Sequence, residues 1–183
     1  SSKSSISHYF DNNDKFDIII NCAAYTQVDR AEQDEEIANQ INHLAVKQLA
    51  SIAIKQQASL IHISTDYVFD GESNKPYLET DTPNPINAYS RTKHAGEKAL
   101  QALMPINALI IRTSRVYSEY GNNFVKTMLK LGKERDELSV VNDQMGSPTY
   151  AADLADAILE IIKHKKFKDV AQTTQIYNYS NEG

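Results

Sequence analysis

Short β-branched runs alternate along the chain with longer stretches whose apolar residues recur every three or four positions, the pattern of strands joined by crossover helices. The runs predict strands over 17–21, 60–64, 108–113, 139–141 and 176–179. The first three carry apolar residues on both alternating faces, which predicts burial on both sides, as in a parallel sheet. Between the first two, Ile37, Ile41, Leu44, Ala45, Leu49 and Ile52 predict one long helix with an apolar stripe. Further helices are predicted over 5–12, 87–103, 122–133 and 151–164. Such alternation indicates an α/β fold, an open doubly wound parallel sheet of Rossmann-like type.

Composition narrows the reading. Of 183 residues, 41% are hydrophobic, enough for a buried core, and 19 Lys and Arg against 24 Asp and Glu give a net charge of -5. A net negative chain is not built to collect phosphate backbones, so nucleic acid is not expected as a partner. The six glycines never approach a G-x-G spacing, so neither a phosphate-binding loop nor a dinucleotide fingerprint is present. The single cysteine, Cys22, rules out an internal disulfide and fits a reducing, cytoplasmic setting. It is expected to be a small packed side chain at a buried strand end. No apolar run reaches the roughly 20 residues of a membrane helix, so no membrane is expected. No metal is expected either: Asp143, Asp153 and Asp156 read as solvated positions. His62 reads as an interior side chain, and His94 as facing away from the helix face of Lys93. Lys163, Lys165, Lys166 and Lys168 read as cations complementing a helix C-terminus.

The irregular stretch 76–85, PYLETDTPNP, lies between a strand end and a helix, where a loop can border a site. Tyr89 and Lys93 are four apart in the helix that follows, on one face. Alone that spacing is common. The preceding strand, however, delivers Thr65 and Asp66 at its C-terminal edge, where open α/β sheets bind ligands. Such a trio suits carbonyl reduction, in which hydride reaches carbon and a proton must reach oxygen. A phenol with a pKa near 10 transfers its proton poorly near neutrality. A neighbouring ammonium would lower that value, and a threonine hydroxyl could hold the same oxygen.

Several long segments resemble the dTDP-4-dehydrorhamnose reductases, extended short-chain dehydrogenases/reductases. They are NCAAYTQVDRAE (21–32), STDYVFDG (64–71), PYLETDTPNPINAYSRTKHAGE (76–97), RTSRVYSEYGNNFVKTM (112–128) and NDQMGSPTYAADLAD (142–156). The resemblance implies NADPH- or NADH-dependent reduction of the 4-keto group of dTDP-4-dehydro-L-rhamnose, giving dTDP-L-rhamnose for surface polysaccharide. It implies that Tyr89 donates the proton, that Lys93 binds the nicotinamide ribose and lowers the tyrosine pKa, and that Thr65 and Asp66 contact substrate. Ala24, Tyr25, Thr26, Ile63 and Ser64 would lie along the cofactor. Asn122 and Asn123, opening a helix with Phe124, would meet the nucleotide phosphate. Arg115 replaces the family's usual tryptophan, and either pairs with the substrate diphosphate or is a neutral replacement.

By the same resemblance, residues 1–141 are a partial dinucleotide-binding domain and 142–183 the start of the substrate-binding region, the fold being incomplete at both ends. The glycine-rich turn would precede residue 1, and about a third of the family's length would follow residue 183. Missing strands would leave a sheet edge and an apolar face open, implying reliance on a partner or on a second copy in a homodimer. Two other readings share the fold. One is a sugar-nucleotide epimerase or dehydratase, although a dehydratase would carry an acidic pair after the threonine and here Asp66 is followed by Tyr67. The other is a non-catalytic, nucleotide-binding regulatory subunit.

Overall fold

A computed structural model describes residues 3–140, 146–164 and 173–182. Four parallel strands, β1 (Ile18–Asn21), β2 (Ser59–Thr65), β3 (Ala108–Thr113) and β6 (Gln175–Tyr179), form one sheet in the order β1-β2-β3-β6. A two-stranded parallel pair, β4 (Val116–Tyr117) with β5 (Thr149–Tyr150), stands apart from it. Register is set by pairings such as Ile19 with Leu60, Leu60 with Ala108 and Arg112 with Asn178.

Helices cover both faces of the sheet, as the alternating pattern predicts. On one, α1 (Lys3–Asp11), α3 (Ala45–Gln56) and α4 (Ala88–Leu103) pack on Ile19, Leu60, Ala108 and Ile110. On the other, α6 (Ala151–Lys163) places Leu154 and Ile158 on Ile61, Leu109 and Ile111. Thus α6 and β6, which lie beyond position 141, pack on and extend the sheet begun by β1–β3. Every residue of β3 is buried; each Leu or Ile taken fully out of water there contributes about 1.5–3 kcal/mol.

Three sequence expectations are corrected. First, β1 is not buried on both faces: it is an edge strand, and Ile20 is 42% exposed where α6 does not reach. Second, no strand forms at Ser139 and Val140, which are exposed coil; residue 141 lies outside the described residues. Strand propensity without a neighbouring chain to accept its hydrogen bonds does not make a strand.

Third, the helix after β1 is not one regular helix. It runs as α2 (Glu35–Asn39), a π-turn (Gln40–Leu44) and α3, and its buried positions are Ala38, Asn42, Val46, Ala50 and Ala53, with Ile52. Ile37 and Leu44, expected in the stripe, are 51% and 38% exposed. The wider π-turn shifts the face, so the buried residues repeat at intervals of four. They are small because α4 lies close: a Cβ at Gly96 would overlap the Asn42 carbonyl oxygen. Helix α4 starts where Asn87 caps it, its Oδ1 accepting from Ser90 N while Ser90 Oγ reciprocates. The Glu32 carboxylate accepts from Ala88 N as well. Gly96→Ala should therefore lower stability by about 1–3 kcal/mol through this overlap. Urea denaturation measures it, and an unchanged midpoint would show that the helices have room to separate.

Candidate active site

Strand β2 ends at Thr65, and the chain turns at once into a single 3₁₀ turn, Asp66–Val68. Thr65 Oγ1 accepts from Tyr67 N at 3.3 Å and donates to Asp66 Oδ1 at 3.3 Å. The α4 cap places Tyr89 in the first helical turn, 8% exposed, with its hydroxyl close to the Thr65 side chain. Its ring meets that of Tyr67 edge-on at 5.8 Å. Burial raises the Tyr89 pKa; the nearby Thr65 hydroxyl opposes that shift, and Asp66 and Tyr67 add to it.

One turn further along α4, Lys93 is 1% exposed and donates from Nζ to the Ile63 carbonyl oxygen at 2.7 Å. Burial lowers its pKa to about 8, while Glu97 and Cys22 pull it upward. The expected influence of this ammonium on the phenol is not what governs Tyr89. Lys93 turns toward the β2 backbone, Glu97 and Cys22, and desolvation dominates the tyrosine.

The segment after β1 is fastened by an amide. Asn42, fully buried, accepts from Tyr25 N at 2.8 Å and donates to Tyr25 O and Thr92 Oγ1, each at 3.1 Å. Tyr25 donates its hydroxyl to Asp34 at 2.8 Å, Ala24 is half-buried and Thr26 exposed. Cys22 is exposed, contrary to the packed side chain expected, because β1 stops at Asn21; burial still raises its thiol pKa, opposed by Lys93. These residues, with Ile63 and Ser64, gather Ala24, Tyr25, Thr65, Tyr89 and Lys93 at the C-terminal ends of β1 and β2.

The remaining predicted positions lie on an adjoining flank. Arg115, at a left-handed φ of 45°, places its guanidinium 6.0 Å from the Phe124 ring centre and its charge near Asp66. Burial raises the Asp66 pKa against the nearby Ser114 hydroxyl, the hydrogen bond from Thr65 and the charge of Arg115. Asn123 caps α5 (Phe124–Glu134), accepting from Lys126 N at 3.0 Å and donating to Ser118 O at 2.8 Å, while Asn122 is exposed. Asn123 is thus committed to its helix, and no contact ties either asparagine to Tyr89 among the described residues. Asp153 accepts from Asn181, Lys163 pairs with Glu160 at 2.7 Å, and Asp143, Lys165, Lys166 and Lys168 lie outside the described residues.

Behind the site lies a buried charge cluster that the sequence reading missed. Glu97, one turn past Lys93, is fully buried and accepts Arg112 Nε at 3.0 Å and Nη2 at 2.8 Å. His94, expected on another face, brings Nδ1 to 3.5 Å from the same carboxylate. Burial alone would raise Glu97, yet the nearby His94 ring, the hydrogen bonds and charge of Arg112 and the Ser64 hydroxyl hold it down at about 2. The signal was readable: Tyr89, Lys93 and Glu97 repeat at intervals of four. Arg112 also lies 5.1 Å from the Phe69 ring centre, and Phe69 stacks on Tyr77 at 4.3 Å, tying the cluster to the loop before α4.

The model of the family described as the RmlD substrate binding domain matches residues 1–183. The chain belongs to that family. Among curated relatives, the dTDP-4-dehydrorhamnose reductase of Escherichia coli strain K12 is 53% identical over 147 residues, 80% of this chain and 49% of that protein. A crystal structure of a dTDP-4-dehydrorhamnose reductase from Clostridium acetobutylicum superposes with a TM-score of 0.89 at 41% identity, covering 100% of this chain and 61% of that one. The dTDP-4-dehydrorhamnose reductase of Bacillus anthracis, solved in complex with NADP, gives 0.84 at 42% identity, covering 99% and 60%. The chain thus spans about half the length of the curated relatives it matches. No described helix of this family member is long and apolar enough to cross a membrane.

His62 is fully buried, with Nδ1 3.1 Å from Asn21 Nδ2, and burial with the nearby Lys93 charge lowers its pKa from 6.5 to about 3. The unfolded chain therefore binds a proton between pH 6.5 and 3 that the native chain refuses, so stability falls as pH falls through that window. Glu97 adds to the loss from 4.5 toward 2, because its depressed value stabilises only while the carboxylate stays ionised. Urea midpoints should decline steadily from pH 6.5 to 3, and less steeply in His62→Gln. Equal slopes would mean that His62 is not held neutral.

Proposed function

We propose that this chain carries the reacting centre of an NAD(P)H-dependent reductase that converts the 4-keto group of dTDP-4-dehydro-L-rhamnose to the alcohol of dTDP-L-rhamnose. The observation that carries this reading is the juxtaposition of two buried hydroxyl side chains, Thr65 and Tyr89, at the sheet's C-terminal edge with Lys93 one turn beyond. The names of the relatives supply the substrate.

Tyr89 transfers its hydroxyl proton to the carbonyl oxygen as negative charge develops there. A phenol whose pKa is raised by burial is fully protonated near neutrality, the form a proton donor needs. Thr65, whose one hydroxyl proton lies on Asp66 Oδ1 before substrate arrives, turns that proton to the oxygen as its charge develops. Asp66, Arg115, Asn122 and Asn123 make up the substrate side, Arg115 bringing a positive charge to it.

The described residues fit the nicotinamide end of a dinucleotide. Lys93 has two ammonium protons beyond the one given to Ile63, suited to ribose hydroxyls, and Ala24, Tyr25, Thr26, Ile63 and Ser64 follow or end the strands beside it. When bound, the reduced nicotinamide supplies the hydride. The NADP in the Bacillus anthracis relative favours NADPH over NADH as the donor. The free thiol of Cys22 fits a cytoplasmic setting.

The protein at its natural full length should oxidise NADPH when given dTDP-4-dehydro-L-rhamnose, and Tyr89→Phe should reduce kcat by about 10²–10⁴. Loss of nicotinamide absorbance follows the reaction. An unaltered rate in Tyr89→Phe removes the proton-donor role, and no oxidation with either nicotinamide removes the reductase reading.

A further inference from the structure

Two cations are buried behind the candidate site, Lys93 at 1% exposure and Arg112 at 3%, and among the described buried residues only one carboxylate, Glu97, lies with them. Arg112 reaches it from β3 through two hydrogen bonds, at 3.0 and 2.8 Å. His94 reaches it from the same helix at 3.5 Å. Lys93 stands one helical turn away on the same face, its Nζ on the Ile63 carbonyl oxygen at 2.7 Å. The other titratable groups that face this cluster are His62 from β2, Cys22 just past β1 and, on the Arg112 side, Glu79 from the loop before α4, and Ser64 adds a hydroxyl from β2.

Two positive charges cannot both leave water beside each other without a counter-charge. Arg112 stays charged at any accessible pH, so lysine is the one that would give up its proton. His62 offers no relief, because burial holds it neutral until about pH 3. The rigid two-point fork of Arg112 also fixes the carboxylate, which in turn fixes what it presents to the next turn of α4.

We infer that Glu97 is a positioning residue for Lys93: a single carboxylate, clamped by Arg112, serves both cations and keeps the ammonium protonated at the edge of the candidate site. The inference deepens the reading of Lys93 as a nicotinamide-ribose ligand, which needs a charged donor. It concerns this chain's own electrostatics, so it can be tested with no cofactor or substrate present. Lys93 near 8 is protonated at neutral pH with little margin, and without Glu97 the balance moves toward the neutral amine.

Lysine labelled with ¹³C at Cε gives the titration directly by NMR, with Lys93 assigned by its absence in Lys93→Met. In the unaltered chain Lys93 should titrate near about 8. In Glu97→Gln the midpoint should move to lower pH, and Glu97→Asp, which restores the charge on a shorter arm, should recover part of the shift. A Lys93 midpoint unmoved in Glu97→Gln overturns the inference even if that variant melts earlier, since a purely mechanical anchor alters stability and leaves the titration alone. If Glu97→Gln does not fold, the unaltered chain labelled with ¹³C at glutamate Cδ decides. The Glu97 resonance should inflect at the pH where Lys93 loses its proton, and a flat trace through that pH overturns the inference. Neither result depends on turnover, so failure of the reductase assay and failure of this inference are separate outcomes.

Discussion

The buried pair between Glu97 and Arg112 is the interaction on which the arrangement of the site depends. It joins α4, which carries Tyr89 and Lys93, to β3, and through Phe69 and Tyr77 it reaches the loop that leads into α4. Its net contribution to stability is small, because desolvating two ions consumes most of their attraction. What the pair does supply is direction. A guanidinium fork meets a carboxylate in one plane, whereas aliphatic side chains at the same two positions would pack in many rotations. An interior that must fix a helix to within a fraction of a turn gains more from such a contact than from an equal volume of leucine.

Around that pair the molecule divides by solvent access. The interior strands β2 and β3 are covered on both faces, and their ends hold Thr65 and Arg112 in register with Thr113 and Ser64. Strand β1 has one neighbour and a half-open face, so the segment that follows it gets its order from elsewhere, chiefly from Asn42. The loop before α4 is similarly tied at a single acidic residue: Asp70 accepts from Tyr77 at 2.5 Å, Asn84 at 3.0 Å and Glu72 N at 3.1 Å, which hold its carboxyl down at about 2.

Much of this was legible in the amino-acid sequence. Apolar runs gave β2, β3 and β6, and three-and-four spacing gave α4 and α6. What escaped had physical reasons. A π-turn leaves no mark in hydrophobic spacing, so the buried stripe of α2–α3 fell one position from the predicted one. Buried polar residues such as Asn42, Glu97 and Arg112 look like surface residues until their partners, far along the chain, are known. Cys22 was misjudged by one residue of strand length, and the tuning of Tyr89 by lysine was expected from spacing that says nothing of where an ammonium turns.

Asn42 does with one side chain what a neighbouring strand does with its backbone, giving and taking a hydrogen bond at the same residue, Tyr25. That double duty restricts which side chains can stand at this position more than burial does. Aspartate loses the donor and adds a charge, leucine loses both bonds, and glutamine carries its amide one methylene too far. Adjacent small positions such as Ala38 and Ala50 can exchange with serine or glycine at modest cost, but a descendant that changes residue 42 has to rebuild the strand exit by some other route.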